Sequence, residues 1–485
     1  MTSFPVILEP LLAELSGQGR NGLATPQPFD ESLCKDLPVN PDLPGLPEVS
    51  EVETVRHFTR LSRLNFGIDQ GMYPLGSCTM KYNPKISEEI ARTIAAIHPA
   101  DKALSESVLE WLYGLKGILE EICGMDDCCL WPAAGAHGEL TGMLVIKEAI
   151  KKTGPHRTKV LIPDTAHGTN PASCAIAGFE TVNIASGPDG FLRASDLKGL
   201  LTDDIAALMI TNPNTLGIFE HEIMEIARLL HENGSYLYMD GANLNAIMGI
   251  VRPGDVGVDC MHINLHKTFG APHGGGGPGS GPVLVKKDLA AFLPVPRIVS
   301  NVSGRQVLSN DFPDSIGMIH SCLGNVAVLL KAYVFCLSLG PDGLKEASIR
   351  ACLNANYLKA RLSKIFDLPY ATPTMHEFVL SDKLQKVTGA TTIDMAKALM
   401  EYGFHPPTVY FPLVVPGAIM IEPTESEPLS ELKRFAQAME SVAARAANSP
   451  EALHEGPCGM PVTRVDEVRA ARNLILTWKD LNPSG

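Results

Sequence analysis

Short apolar runs alternate with helical patterns between residues 130 and 290, and this alternation constrains the fold more than any other feature. The runs are Lys159 to Ile162, Ile205 to Ile210, Tyr236 to Met239 and Val258 to Leu265, with a strand-like piece at Val283 to Val285. A helical pattern at Ile223 to His231 separates two of them. Strands that alternate with helices form a mostly parallel sheet, so we predict an α/β fold. In such sheets ligands bind beyond the carboxyl ends of the strands, which makes the residues there the candidates for a site.

The pattern of apolar, polar and proline residues changes twice along the 485-residue chain, which predicts three regions. Residues 1–70 are rich in proline and polar breaks, which predicts an N-terminal extension that wraps a partner. Residues 71–335 contain the alternating pattern and are predicted to form a large cofactor-binding domain. Residues 336–485 are predicted to form a smaller α+β C-terminal domain. Its predicted elements are helices at Leu344 to Ile365 and Leu429 to Ala446, and strands at Phe378 to Leu380 and Ile419 to Ile421.

Charge and cysteine content exclude several classes of partner. Lys and Arg total 40 against 54 for Asp and Glu, and the net charge of -14 disfavours nucleic acid. The 11 cysteines are scattered, and the cluster at residues 123–129 has no second cluster to complete a zinc site. We therefore expect free thiols in a reducing compartment and no metal. The sequence shows no secretory signal and no uninterrupted apolar stretch of about 18 residues, so we expect a cytoplasmic protein without a membrane partner.

Lys267 follows the predicted strand Val258 to Leu265 and precedes a glycine-rich loop. Most lysines are solvated surface charges, and Lys267 could be another. A lysine in a partly desolvated pocket instead becomes a nucleophile toward aldehydes. The position at the end of a buried-looking strand, directly after His266, favours this second interpretation.

Asp240 follows the strand Tyr236 to Met239, on a different strand end from Lys267. An acid in this position could simply cap a loop. In pyridoxal-phosphate enzymes an Asp pairs with the pyridinium nitrogen and keeps the ring an electron sink. Ala242 would provide the small surface on which a flat ring can lie. An Asp and a Lys at two strand ends therefore predict a pyridoxal-phosphate site, with Lys267 forming the Schiff base.

A turn of small residues at 132–139 opens a helical pattern that runs to Gly154. The first turn of a helix offers free N–H groups and a positive dipole end, which suit phosphate. Gly135 and Ala136 are therefore predicted to bind the cofactor phosphate. His137 could stack on the cofactor ring, or it could be an ordinary histidine at a helix start.

A glycine run at residues 273–281 comes shortly after Lys267. It could be a flexible linker or a phosphate loop, but it lacks the Gly-Lys-Ser/Thr end of a nucleotide P-loop, which excludes ATP binding. Its place directly after the lysine favours a tight active-site loop. His266 is predicted to touch the phosphate or to polarise the lysine.

Taken together, these segments resemble the glycine decarboxylase P-protein family of the glycine cleavage system, specifically subunit 2 of its two-subunit bacterial form. The similar stretches run over nearly the whole chain, and matches of this length are specific. They are residues 71–84 (GMYPLGSCTMKYNP), 134–140, 166–173 (AHGTNPAS), 211–217, 240–245, 264–269, 273–281, 375–378 (MHEF), 404–407 and 421–424 (IEPT).

The resemblance implies a fold-type I pyridoxal-phosphate enzyme with a large sheet domain and a smaller C-terminal domain. It implies a glycine dehydrogenase (aminomethyl-transferring), an oxidoreductase in which Lys267 is the catalytic lysine. Glycine would lose its carboxyl group, and the aminomethyl group would pass to the lipoyl arm of the H-protein. The implied partner is P-protein subunit 1, in a heterotetramer of two copies of each chain.

Two further groups of residues are predicted to complete the site. Ser77, Cys78 and Thr79 are candidates for lining the glycine and lipoyl pocket, although Cys78 could equally be a buried small residue. Asn212 and Thr215 follow a strand end and could reach the cofactor ring oxygen, or they could be turn caps.

Two other functions stay open at the level of sequence. One is a different fold-type I pyridoxal-phosphate enzyme that acts on another amino acid. The other is a non-catalytic partner subunit, which would not need the reactive lysine that Lys267 provides. Dependence on a lipoyl carrier would separate the first alternative from glycine decarboxylation.

Overall fold

The computed structural model describes residues 9–20, 46–94, 106–275, 277–321, 323–477 and 480. By its internal contacts the chain forms two compact units. One comprises residues 71–454, and the other comprises residues 1–70 together with residues 455–485. Every predicted site residue lies in the unit 71–454.

The unit formed by the two chain ends contains helices α1 (Leu12–Leu15) and α2 (Glu51–Ser62) and a short helix at Glu467–Arg472. A capping box starts α2, because Ser50 Oγ accepts a hydrogen bond from Glu53 N (3.3 Å) and the Glu53 carboxylate accepts one from Ser50 N (2.9 Å). The predicted extension thus contains a well-capped helix. Residues 21–45 of that extension lie outside the described residues.

The unit 71–454 is built on a mostly parallel sheet with seven strands in the described part of the chain. They are β1 (Asp127–Cys129), β2 (Lys159–Pro163), β3 (Glu180–Ile184), β4 (Ile205–Thr211), β5 (Tyr236–Gly241), β6 (Cys260–Ile263) and β7 (Val283–Val285). Across the sheet their order is β1-β7-β6-β5-β4-β2-β3. Strand β7 is antiparallel to both neighbours, and the other adjacent pairs are parallel. The predicted α/β architecture is confirmed.

Burial explains which strands the sequence revealed. Strand β4 lies between β2 and β5 and is buried throughout, so it reads as a continuous apolar run. The sequence pattern missed β3, an edge strand whose residues are mostly exposed or half-buried, and β1, which has three residues. Strand β6 is shorter than the predicted run Val258 to Leu265, so Lys267 lies in the turn that follows β6 instead of at the strand end.

Helices cover the sheet and join its strands. They are α3 (Lys85–Arg92), α4 (Glu106–Cys123), α5 (Gly135–Thr153), α6 (Thr169–Ile176), α7 (Ile223–Glu232) and α8 (Lys287–Ala290). The apolar faces of α4 to α8 and the strands share one continuous hydrophobic core, whereas α3 packs against the later helix Val326–Leu362. A hairpin of β8 (Arg297–Ser300) and β9 (Gln306–Ser309) follows α8.

The remainder of this unit is an α+β layer around a small antiparallel sheet of order β10-β12-β11. The strands are β10 (Phe378–Ser381), β11 (Thr408–Val409) and β12 (Ala418–Ile421), and the helices are α9 (Val326–Leu362), α10 (Thr392–Glu401), α11 (Leu429–Asn448) and α12 (Pro450–His454). The predicted strands at Phe378 to Leu380 and Ile419 to Ile421 are confirmed. Helix α9 begins before the predicted Leu344 and is broken at Gly340, where φ is 63° and Pro341 follows.

Helix α9 affects two predictions. By length and composition it is the one helix among the described residues that could cross a membrane, but Leu329 and Phe335 are buried in the core and Gly340 breaks it. Of its most apolar 18-residue window, 39% is buried inside the protein. The predicted boundary between residues 335 and 336 falls inside α9, and residues 455–485 group with the N-terminal residues instead of with residues 336–454. The structure therefore divides the chain differently from the predicted three regions.

Candidate active site

Lys267 lies in the turn after β6 and is buried, with only 7% of its surface exposed. Its Nζ donates a hydrogen bond to the backbone carbonyl of Ser77, over 2.8 Å. The structure thus excludes the interpretation of Lys267 as a solvated surface lysine. A buried amine needs such an acceptor, because burial without a partner is costly.

Asp240 lies at the carboxyl end of β5, paired in register with Thr211 on β4 and His262 on β6. Its two oxygens accept hydrogen bonds from Ala242 N (2.9 Å) and Asn170 Nδ2 (3.0 Å). Burial by itself raises the pKa of this carboxyl, but the electrostatic influence of His262 and His167 and the two hydrogen bonds outweigh burial. The pKa of Asp240 is therefore lowered, and the group is an ionised carboxylate.

Two side chains that the sequence analysis missed lie beside Asp240. His262 on β6 contacts Asp240 directly, and Tyr238 on β5 contacts His262. The His262 Nε2 lies 3.3 Å from Asp240 Oδ1, and the His262 Nδ1 lies 2.8 Å from the hydroxyl of Tyr238. Both are buried. His262 meets Asp240 because the two residues are paired in register on β6 and β5. This register cannot be read from a single sequence.

A second buried acid, Glu139 on α5, binds side chains of α6 near Asp240. It accepts hydrogen bonds from Thr169 Oγ1 (2.7 Å), Asn170 Nδ2 (3.1 Å) and Ser173 Oγ (3.0 Å). The same Asn170 amide reaches Asp240, so Glu139 fixes a partner of Asp240. Asn170 follows the carboxyl end of β2, so the strand-end rule applied to the stretch AHGTNPAS could have found it.

The small residues at the start of α5 allow a very close approach to the β6 turn. A methyl group at Gly135 would lie 2.4 Å from Asn264 Nδ2, and one at Gly138 would lie 2.6 Å from the carbonyl of Gly281. Helix α5 has no side-chain cap hydrogen bond at Ala134, so the first N–H groups of Gly135 and Ala136 keep their donor capacity. The start of α5 can thus bind an anion, as the sequence predicts.

The structure distinguishes two histidines near this end of the sheet. His137 Nδ1 accepts a hydrogen bond from Ala133 N (3.1 Å), and its ring lies near His320. His167 interacts electrostatically with both Asp240 and Lys267. Burial lowers the pKa of His167, although Asp240 opposes the change, and a neutral ring results. His167 is therefore a second candidate for the stacking ring, and the stacking role predicted for His137 stays a prediction.

His266 lies between the lysine and the glycine loop. Its Nδ1 is 3.4 Å from Ser280 N, and its ring packs edge-on against His273. Burial, together with the charge of Lys267, lowers the pKa of His266 to about 3. The ring of His266 is thus neutral in this structure, and its predicted contact with the phosphate or the lysine stays a prediction.

Asn212, Thr215 and Ala242 have contacts that fit their simpler interpretations. Asn212 Oδ1 accepts from Glu220 N (3.0 Å), and Thr215 Oγ1 donates to the carbonyl of Thr165 (2.7 Å). Both side chains therefore cap loops, and a contact with a cofactor oxygen stays a prediction. Ala242 is buried next to Asp240, where its N–H binds the carboxylate.

The loop of Ser77, Cys78 and Thr79 is far from Lys267 in sequence. The fold brings the two together, and the Ser77 carbonyl accepts a hydrogen bond from Lys267. Ser77 and Thr79 have left-handed backbone angles, with φ of 63° and 48°. Burial raises the pKa of the Cys78 thiol to about 11, despite the opposing charge of Lys267. Cys78 is therefore a neutral thiol beside the lysine.

Two buried acids, Glu377 and Glu422, hold this loop, and sequence reasoning gave them no role. Ser77 N donates to Glu377 Oε2 (2.8 Å), and Thr79 donates to Glu422 through its N–H (2.8 Å) and hydroxyl (2.5 Å). Glu422 directly follows a predicted strand, but Glu377 precedes one, and only the antiparallel pairing of β10 with β12 brings the two acids together.

Two groups of buried ligand-type side chains occur in the described residues, each with ligand atoms within 4.8 Å of one another. They are Glu139, Asp240 and His262, and His376, Glu377 and Glu422. Neither contains a cysteine, and hydrogen bonds from the protein already occupy most of their oxygens. A cleft of about 790 Å³ between α4 and α9 contains none of the predicted site residues.

Comparison with known proteins identifies relatives over the full chain. A family profile described as "Glycine dehydrogenase, C-terminal domain" matches residues 347–455, and one described as "Aminotransferase class-V" matches residues 141–303. The chain is 50% identical to the probable glycine dehydrogenase (decarboxylating) subunit 2 of Bacillus licheniformis, covering 97% of this chain and 98% of that protein. It is 51% identical to the protein with the same description from Caldanaerobacter subterraneus subsp. tengcongensis, covering 96% and 98%.

Solved structures share the fold at low identity. A crystal structure of a glycine decarboxylase (P-protein) of the glycine cleavage system, in inhibitor-bound form, superposes with a TM-score of 0.71 at 21% identity, covering 85% of this chain and 95% of that one. A glutamate decarboxylase from Lactobacillus brevis superposes with a TM-score of 0.66 at 15% identity, covering 86% and 97%. These likenesses confirm the predicted fold class.

Proposed function

The chain belongs to the family of glycine dehydrogenase (decarboxylating) subunit 2, and from this premise we propose that it decarboxylates glycine with pyridoxal phosphate bound at Lys267. The observation that carries the proposal is the convergence of three parts on one end of the sheet. These parts are the buried amine of Lys267, the ionised carboxylate of Asp240 and the uncapped start of α5. A fold of this class implies the cofactor, and the three parts match its aldehyde, ring nitrogen and phosphate.

Unpartnered polar atoms support the fit of the cofactor to this site. Among the described residues, Asn264 Oδ1, Thr268 Oγ1 and Ser280 Oγ are buried without a hydrogen-bond partner. Asn264 and Thr268 lie in the segment that holds Lys267, the backbone of Ser280 pairs with that segment at Leu265, and Asn264 lies against Gly135 at the start of α5. Buried polar groups are nearly always satisfied, so their state is explained if a polar ligand occupies this space.

The bound cofactor would supply an aldehyde that condenses with amines and a protonated ring that accepts the electron pair left by loss of CO2. Asp240 would keep the ring nitrogen protonated, and the support of His262 and Asn170 would keep Asp240 ionised. His167, neutral and beside both Asp240 and Lys267, is the proposed stacking ring. Lys267 would hold the cofactor between turnovers, and the Ser77 carbonyl would accept a hydrogen bond from its amine or from that of glycine.

The description "subunit 2" of the relatives implies a partner subunit 1. We propose a heterotetramer with two copies of each chain, acting on a lipoylated H-protein in the cytoplasm without nucleic-acid or membrane partners. The C–C bond to the carboxyl group would break, and the aminomethyl carbon would bond to one sulfur of the lipoyl disulfide. The electron pair of the S–S bond would go to the other sulfur, which takes a proton.

The test is the exchange of labelled bicarbonate into the glycine carboxyl group, measured with this chain, subunit 1 and lipoylated H-protein. We expect exchange only when all three proteins are present, and none with Lys267→Ala, because that variant lacks the amine. Lys286→Ala, which removes a half-exposed lysine outside the site, is the matched control and should exchange normally.

Two results would replace the proposal with the alternatives. If the chain forms a borohydride-reducible adduct with pyridoxal phosphate but never exchanges glycine, it acts on another amino acid. If Lys267 forms no adduct even in the presence of subunit 1, the chain is a non-catalytic partner.

A further inference from the structure

Glu377 and Glu422 face each other as neighbours across the small sheet. Strands β10 and β12 pair antiparallel with Phe378 opposite Ile421, so the next residues outward, Glu377 and Glu422, stand at the same end of the pair. Both side chains are fully buried. Two carboxylates directly opposite repel one another, so such a pair is unfavourable for stability unless another interaction compensates.

The pair makes its contacts with the loop that faces Lys267. Glu377 accepts from Ser77 N, and Glu422 accepts from both the N–H and the hydroxyl of Thr79. The loop is also fixed by the bond from Thr408 Oγ1 to the Gly76 carbonyl (2.7 Å). A methyl group at Gly76 would lie 2.3 Å from Met420, so the loop lies directly on β12.

The backbone of the loop is strained, and these contacts stabilise its geometry. Ser77 and Thr79 both have positive φ, which costs on the order of 1 kcal/mol or more for a residue with a side chain and is rarest for a β-branched one. The result of this geometry is that the Ser77 carbonyl points at Lys267 Nζ. The carboxyl pair therefore determines where the acceptor of the lysine lies.

We propose that Glu377 and Glu422 are positioning residues that share one proton, with Glu422 as the carboxylate that sets the Ser77–Thr79 loop and balances the charge of Lys267. The proposal rests on the proposed function, because it assigns a role at the same lysine. The two acids act through the loop and are not catalytic residues themselves.

The charges around the pair support one shared proton. Lys81, the other buried cation nearby, is matched by Glu425 at 2.6 Å. His376 lies 3.8 Å from both carboxyl groups, but burial and the two lysines lower its pKa to about 3, so it is neutral. Cys78 is a neutral thiol. Burial and Lys267 lower the pKa of His273, so this ring is neutral as well. The ionised Asp240 is the partner of the ring nitrogen in the proposed function, so one carboxylate of the pair is enough to balance Lys267. Repulsion between the two buried acids then favours protonation of the second.

The hydrogen bonds indicate which acid keeps the proton. Burial raises the pKa of both carboxyl groups, and Glu377 is raised the further because Glu422 repels its charge. Two hydrogen bonds from Thr79 favour the ionised form of Glu422, whereas Glu377 accepts one good bond and a longer one from Asn243 (3.3 Å). Glu377 is therefore the protonated member.

The test compares Glu422→Gln with Glu377→Gln in the full chain assembled with subunit 1. The measurement is the rate at which pyridoxal phosphate condenses with Lys267, trapped by borohydride and followed from about pH 6 to 9. In that step the amine nitrogen bonds the aldehyde carbon and water leaves, and borohydride then delivers a hydride to the C=N carbon.

We expect Glu422→Gln to slow trapping about 10-fold or more. The NH2 group of Gln would replace a carboxylate oxygen that accepts a hydrogen bond from Thr79, so two hydrogen-bond donors would face each other. It should also move the pH midpoint of trapping down by about one unit, since an attractive charge is removed. Glu377→Gln replaces a neutral group with a neutral group and should leave the midpoint in place. Glu120→Gln, which alters a partly buried acid on α4 away from the site, serves as the control.

A purely structural role would slow trapping without moving the midpoint. An unchanged midpoint in Glu422→Gln, or equal shifts in both variants, would overturn the proposal. If Glu422→Gln does not fold, Thr79→Ala and Thr79→Ser report on the same contact: the first should slow trapping about 10-fold and the second, which keeps the hydroxyl, should not. Equal rates in the two Thr79 variants would also overturn it. Absence of any adduct in the unaltered protein would instead refute the proposed function.

Discussion

Asp240 illustrates how neighbours decide the chemistry of a single residue. Burial alone would favour its neutral form, but His262, His167, Asn170 and the Ala242 N–H all favour the carboxylate. The last two partners occupy one oxygen each. Asp240 can therefore keep a negative charge where water is excluded, which a ring-nitrogen partner requires.

Replacing Asp240 by Asn should lower the bicarbonate exchange rate by about 100-fold or more, because the charge is lost and an amide NH2 must face another donor. Borohydride trapping at Lys267 should persist, since Lys267 is unaltered. The control is Asp255→Asn, which changes an exposed acid that pairs with Arg252. An exchange rate within about 3-fold of that of the unaltered protein would contradict the assigned role, because a 3-fold change in rate corresponds to less than about 1 kcal/mol in the activation free energy.

The pH dependence of this residue has a definite sign. Because the pKa of Asp240 is lowered from its ordinary 3.8, its charge is fully present above that value and is lost only at lower pH. Any acid limb of the exchange rate between about pH 5 and 8 must then come from another group.

At the scale of elements, the start of α5 and the turn after β6 fit together only because their residues are small. Gly135 approaches Asn264 so closely that a methyl group has no room, and Gly281 touches the carbonyl of Ala134 in the same way. The helix start thereby presents its free N–H groups beside the lysine turn. The sequence predicted the phosphate-binding role of this turn, but it could not show which segment lies opposite.

Gly135→Ala should weaken binding of pyridoxal phosphate about 10-fold, because the 2.4 Å approach to Asn264 must open and the first N–H groups move. The measurement is a fluorescence titration of the apoprotein with the cofactor. Gly117→Ala is the matched control, since it also changes a helical glycine and its added methyl group meets nothing within 4 Å. Equal affinities in the two variants would show that α5 does not bind the phosphate.

For the whole molecule, the unit formed by the chain ends presents an apolar surface that suits a partner. On α2, Val52, Val55 and Phe58 recur at helical spacing and are each more than half exposed. A contiguous exposed apolar stripe is typical of an interaction site. The stripe is consistent with the predicted role of residues 1–70 in wrapping a partner, which we propose to be subunit 1.

The double variant Val55→Asp, Phe58→Asp should weaken assembly with subunit 1 by about 10-fold or more, because two charges would be buried in an apolar contact. Sedimentation of the mixed subunits measures this affinity. Val302→Asp alters an exposed valine in the β8–β9 hairpin and should assemble normally. Undiminished assembly of the double variant would place the interface elsewhere.

Sequence by itself determined the central strands, the fold class and the reactive positions at their ends. Strands β2, β4 and β5 are buried on both faces, so their apolar runs are continuous and visible without any partner. Lys267, Asp240 and Gly135 stand just beyond such runs or at a helix start, where local pattern alone indicates chemistry.

Tertiary structure alone decided which residues support those positions. His262 meets Asp240 through strand register, and Ser77 meets Lys267 across 190 positions of sequence. Glu377 and Glu422 become a pair only when β10 and β12 align. Local patterns record periodicity and turn chemistry, whereas hydrogen bonds, charge balance and pKa shifts arise between segments that are distant in sequence, so only the folded chain determines them.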